Sequence, residues 1–224
     1  MEIVEKLPRG RHRLSREDVV RSQRERLLRA MAEAVCEQGY ASTPVADVLR
    51  RARVSRETFY EHFANKQECF LAAYDASATI LLEAISTALP AEPPEPPEPP
   101  EPLEPIATNV ADPLDRALAE YLAALAREPA VARTFLVEVY AAGPAALARR
   151  VEVQTRFVDW VSVLVGAGDE NQRFACEAIV AAISTLVTQR VCAGRTAEMR
   201  ELHGPLLSFA RRSLQAVDIA PPTA

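Results

Sequence analysis

Ser55, Arg56, Thr58, Tyr60 and His62 lie within one short stretch, SRETFYEH, in which Phe59 and, four residues on, Phe63 mark the opposite, inward side of a helix. Short hydroxyls and a guanidinium at a helix start are the side chains that reach base edges in a DNA major groove, and arginine pairs with guanine through two hydrogen bonds. Arg56 is therefore the candidate base reader. Tyr60, His62, Lys66 and Thr43 stand near helix ends, where a contact to phosphate sets register rather than sequence. Packing or capping is the competing reading for Tyr60 and His62. Glu57 either accepts from cytosine or answers the arginines beside it.

Catalysis has less to work with. His12, His62 and His203 are the only histidines, and the sequence holds no HExxH, GxSxG, phosphate loop or dinucleotide fingerprint. Cys36, Cys69, Cys176 and Cys192 lie far apart, without a CxxC pair or a histidine at zinc-ligand spacing. The expectation is no catalytic residue, no metal, no cofactor, and thiols that stay reduced and mostly buried.

The elements that must hold the polar stretch follow from composition and punctuation. Seven glycines among 224 residues, with abundant alanine, leucine, arginine and glutamate, predict an all-α chain. Apolar spacing predicts a first helix over 16–38, with Gly39 as a left-handed cap. Thr43 offers an N-cap oxygen and Pro44 a first helical residue for a short helix to Arg51. Ser55 caps another to His62, and a longer helix follows Asn65. Two short helices three residues apart, braced by the first, form a helix-turn-helix pattern.

Residues 90–105 contain nine prolines in sixteen positions, so they belong to no helix and should form an extended spacer. Beyond them Pro113, Pro129 and Pro144 open three helices, residues 170–192 form a nearly all-round apolar helix, and Pro205 starts the last. The domains expected are 1–65, with a basic arm and the helix-turn-helix, and 66–224, with the proline-rich insertion. The formal net charge is −5, but residues 1–66 hold 14 Lys+Arg against 10 Asp+Glu, leaving 12 against 21 for the remainder. A basic front end is joined to an acidic body. The opening MEIVEKLPRGRHRL has no apolar core for a secretion signal, and no uncharged apolar run nears the roughly 20 residues a bilayer needs. A cytoplasmic protein without a membrane partner is expected.

The stretch TPVADVLRRARVSRETFYEHFANKQECF resembles the DNA-binding region of tetracycline-repressor-like (TetR-type) transcriptional regulators. Thr43, Val48, Ala52, Val54, Ser55, Thr58, Tyr60, His62, Phe63 and Lys66 stand at recurring positions of that region. Two residues depart from it: Arg53 replaces the usual turn glycine and Leu49 the usual small residue. The resemblance covers about a quarter of the chain, residues 20–75. It implies a transcriptional regulator, in the first instance a repressor, that binds a palindromic operator in double-stranded DNA as a homodimer and is released by a small apolar effector. It also gives Arg9, Arg11 and Arg13 a role in the neighbouring minor groove, against the bland reading of a solvated tail. A helical scaffold that binds no DNA is the alternative.

Two further expectations concern the body. Tyr121, Phe135, Tyr140, Phe157, Trp160 and Cys176 are candidate pocket residues, with plain core as the rival reading. Ile179, Ile183, Leu186, Leu206 and Phe209, on the helices 170–192 and 205–217, are candidate dimer contacts, with internal packing as theirs.

Overall fold

The computed structural model describes residues 15–87 and 112–217; Arg9, Arg11, Arg13, His12 and the proline-rich segment 90–105 lie outside the described residues. Among the described residues the chain is all α: α1 (Arg16–Gln38), α2 (Val45–Ala52), α3 (Arg56–His62), α4 (Lys66–Thr87), α5 (Pro113–Arg127), α6 (Pro129–Leu136), α7 (Pro144–Val165), α8 (Glu170–Cys192) and α9 (His203–Gln215). Short 3-10 turns at Glu138–Ala141 and Thr196–Leu202 precede α7 and α9.

The helix starts follow their capping chemistry. Ser15 and Asp18 form a reciprocal capping box on α1, Ser55 accepts from the Thr58 amide on α3, and Asp112 and Asp169 cap α5 and α8. Pro113, Pro129 and Pro144 each open a helix, where a missing N–H costs nothing. Three local expectations are corrected. Pro44, not Thr43, is the N-cap of α2, and the Thr43 hydroxyl donates back to the Gly39 carbonyl at 2.7 Å. Gly39 is not in the left-handed helical region but at φ 80°, ψ 156°, a conformation open to glycine because it lacks Cβ. Pro205 is the third residue of α9 rather than its first.

Helices α1 to α3 close around a small core in which Leu27, Met31, Val35, Val48 and Phe59 are fully buried. Arg26 of α1 donates to the Ala52 carbonyl at 3.1 Å, which ties α1 to the end of α2. Helix α4 serves both parts of the molecule. Near its start the Phe70 ring meets Tyr40 edge-on at 4.8 Å, and further along Tyr74 stacks on Phe135 of α6 at 5.3 Å. It packs against α1, α5, α6 and α7.

By length and composition alone α4 and α8 are both apolar enough to cross a membrane. In α4 that apolarity is internal, since Cys69, Phe70, Ala73, Tyr74, Ala78, Leu81 and Ile85 are buried. In α8 one side is buried through Cys176, Ile179, Val187 and Val191, while Phe174 and Leu186 face outward.

Candidate nucleic-acid interface and body cavity

The turn between α2 and α3 consists of Arg53, Val54 and Ser55. Arg53 adopts the left-handed region at φ 53°, ψ 48°, and is the one non-glycine residue with positive φ among those described. The conformation redirects the chain so that α3 leaves the turn with Phe59 and Phe63 inward, 0% and 2% exposed, and its polar side outward. Arg56 and Tyr60, one turn apart, are exposed neighbours: the Arg56 guanidinium carbon lies 5.6 Å from the Tyr60 ring centroid, and Nη2 is 3.5 Å from the Tyr60 hydroxyl. A guanidinium held this loosely on an exposed ring can turn to a base edge at small cost, since such contacts contribute about 0.5–1 kcal/mol.

The other residues singled out by sequence divide. Ser55 is exposed; its Oγ accepts from the Thr58 amide at 3.0 Å and lies 2.9 Å from the half-buried Thr58 hydroxyl, so the pair braces the first turn of α3. Thr43 is 1% exposed and bonded to Gly39, which removes its side chain from the surface a phosphate would touch. Lys66 is half-buried, with Nζ on the Tyr40 carbonyl at 2.9 Å and 4.2 Å from the Tyr40 ring centroid; it locks the start of α4 to the turn that follows α1. His62 is half-buried with Nε2 unpartnered among the described residues. Desolvation, reinforced by the Arg24 charge, lowers its pKa below the ordinary value, so it is a neutral imidazole at pH 7 rather than a cationic clamp.

Sequence reasoning counts Arg24 only among the arginines of the basic front end and misses Glu138. Arg24 lies on the exposed side of α1, its guanidinium 4.6 Å from the Phe63 ring centroid, which adds a cation beside α3. Glu138, only 5% exposed, accepts from the Tyr40 amide at 2.8 Å and from Arg133 Nε at 3.0 Å. A charged residue inside the apolar run TFLVEVY was the available signal, but its partner is 98 positions away.

The body contains a cavity of about 90 Å³, measured as the space open to the centre of a water molecule. Tyr121, Phe135, Phe157 and Trp160 line it, together with Ile183 and Arg150. Two expected lining residues do not: Tyr140 is 53% exposed on the surface, and Cys176 is buried in α8 away from the cavity wall. Among the candidate dimer contacts, Ile179 and Leu206 are buried within the chain's own core at 1% and 3% exposure, and Ile183 faces the cavity. Leu186 and Phe209 are exposed.

A three-helix unit that presents a short polar helix beyond a tight turn, mounted on a helical body, is the architecture of a helix-turn-helix DNA-binding protein. Residues 27–73 match the family described as bacterial regulatory proteins, tetR family. The chain is 42% identical over 60 residues to the transcriptional regulator AcuR of Cereibacter sphaeroides, a match covering 25% of this chain and 27% of that protein. A second curated match, to an HTH-type transcriptional regulator of Bacillus subtilis, covers 18% of that protein, so the chain spans less than a third of either relative. Over the whole molecule the fold is similar to the fatty acid degradation regulator FadR from Bacillus halodurans, with TM-score 0.65 at 16% identity, covering 83% of this chain and 96% of that one. It is also similar to the regulator FadR from Bacillus subtilis in complex with stearoyl-CoA, with TM-score 0.61 at 14% identity over 83% and 96% of the two chains. Residues 27–73 thus carry a DNA-binding region of the tetR family, set in a chain whose fold is similar to that of solved transcriptional regulators.

Proposed function

We propose that the protein is a transcription regulator that binds a palindromic operator as a two-fold dimer, reads each half-site with α3, and is released when a small molecule fills the body cavity. The observation that carries this reading is the geometry of α3, whose first turn is capped by Ser55 while Arg56 and Tyr60 stand exposed on a buried Phe59–Phe63 base. Ser55 and Thr58 hold the helix start, and Arg24 lends charge from α1.

A single α3 touches only a few base pairs, and a second copy on the same duplex multiplies affinity and specificity. The surface for that partner is the ridge Phe174, Ala178, Ala182 and Leu186 on α8, spaced four apart, together with the exposed Phe209 of α9. Phe174 is 69% exposed in the single chain, and large side chains separated by alanines let two such ridges interdigitate.

Transmission from cavity to DNA runs through α6. Phe135 and Leu136, at its end, line the cavity, and Glu138 two residues on holds the Tyr40 amide of the DNA-binding unit. An occupant that moves Phe135 therefore acts on the joint that orients α1 to α3. In this reading the resting protein is a repressor, and the effector has an apolar body, as the cavity wall requires. The experiment is genome-wide capture of bound DNA. A shared inverted repeat upstream of a small set of genes supports the reading, and capture without sequence preference overturns it in favour of a helical scaffold.

A further inference from the structure

The cavity wall is apolar except at one end, where α7 brings in Arg150 and, one turn on, Gln154, with Ser184 from α8 opposite. Arg150 Nη1 donates to Gln154 Oε1 at 2.9 Å and Nη2 is 3.3 Å from Ser184 Oγ. Both partners are neutral. Among the described residues no carboxylate lies within 4.0 Å of the Arg150 side chain, whereas its neighbour Arg149 pairs with Asp75 at 3.0 Å and Glu152 at 2.7 Å. The contrast separates a surface arginine, matched by two acids, from a half-buried arginine whose charge has no counterion among the described residues.

Tyr140 lies across the guanidinium on its outer side, with its ring centroid 5.1 Å from the guanidinium carbon. The Tyr74 and Tyr121 phenols also line the cavity, and neither makes a hydrogen bond to another described residue. Burial drives both phenols far above their ordinary pKa, so they remain protonated donors. The polar end is thus rich in donors and poor in acceptors, beside the apolar wall of Phe135, Phe157 and Trp160. A half-buried guanidinium without a counterion is costly, and its planar fork matches a carboxylate through two parallel hydrogen bonds.

We propose that the effector is a small amphipathic carboxylate, whose anionic head sits on Arg150 and Ser184 and whose aromatic or branched body fills the apolar part of the cavity. This rests on reading the cavity as the effector site. It replaces the wholly apolar effector expected from sequence, where Arg150 is one of many arginines and its placement opposite Ser184 is invisible.

The test is titration calorimetry on the full chain without DNA, so that its outcome is independent of whether operator binding is found. The probes are phenylacetate and 4-methylpentanoate, their primary amides, and stearoyl-CoA. At least one acid should bind at least about tenfold more tightly than its amide, the margin set by a hydrogen bond to a charged group. Arg150→Met should abolish that preference, while Arg150→Lys, which keeps the charge without the fork, should retain part of it. Circular dichroism should show that both variants keep their helices. Should Arg150→Met fail to fold, the acid-to-amide ratio on the unmodified chain and on Arg150→Lys still decides. Equal affinity for acids and amides, absence of binding by both acids, binding of stearoyl-CoA alone, or a preference that survives in a folded Arg150→Met would each overturn the proposal.

Discussion

Replacing Glu138 by alanine should loosen the joint between the DNA-binding unit and the body, and its size can be worked from the contacts. The carboxylate is 5% exposed and accepts the Tyr40 amide at 2.8 Å, an interaction of a charged acceptor that contributes about 1.5–3 kcal/mol. The Arg133 side chain, 35% exposed, rehydrates once its partner is gone, so its loss adds only about 0–1 kcal/mol. The total is about 1.5–4 kcal/mol, and at roughly 2–4 °C per kcal/mol for a chain of this size the melting temperature should fall by roughly 3–16 °C. Glu138→Gln keeps an acceptor oxygen for Tyr40 and should lose about half as much. Calorimetry measures the shift, and amide hydrogen exchange localises it: protection should drop at Tyr40. A change below about 2 °C with Tyr40 still protected would refute the reasoning, because the joint would then rest on packing alone.

Three other perturbations follow from the site. Arg53→Gly relieves the left-handed backbone at φ 53° and should raise stability by about 0.5–1 kcal/mol in denaturant unfolding; a loss of stability would show that the Arg53 side chain contributes more than its backbone costs. His62 has its pKa lowered in the folded state, so it favours folding above its unfolded value near 6.5 and that contribution is lost as pH falls through the folded value. His62→Gln should therefore show a shallower stability decline below pH 6.5 than the unmodified protein, and parallel curves would count against the buried neutral imidazole. Phe174→Arg places a charge on the proposed dimer ridge, where the side chain is 69% exposed in the single chain. Sedimentation should show folded monomers, and a dimer that persists would move the interface elsewhere.

Much of the fold was legible because helix boundaries carry local chemistry. Pro113, Pro129 and Pro144 open helices because a residue without an N–H leaves one amide fewer to satisfy there, and Ser55 caps α3 by accepting from the Thr58 amide three residues on. Where a local signal had two local solutions the reading slipped, as at Thr43, whose hydroxyl turns back to Gly39 instead of capping α2. The inward Phe59 and Phe63 were legible from spacing alone. What spacing could not show was which apolar side of α8 meets the chain's own core: Ile179 is buried, Ile183 faces the cavity and Phe174 is exposed, although all three are large hydrophobes of one helix. The joint of Glu138 with Tyr40 and the meeting of Arg150 with Ser184 join residues 98 and 34 apart, so only tertiary packing could disclose them.

Selection from a pool of random duplexes, run in parallel on the unmodified protein and Arg56→Ala, tests the central claim most directly. The account predicts an inverted repeat with half-sites about one helical turn or a multiple of it apart. It predicts for Arg56→Ala a loss of about 1–3 kcal/mol on that sequence, with relaxed preference at one base pair in each half. No enriched sequence, or an Arg56→Ala variant that selects the same repeat with undiminished preference, would contradict α3 as the element that reads DNA.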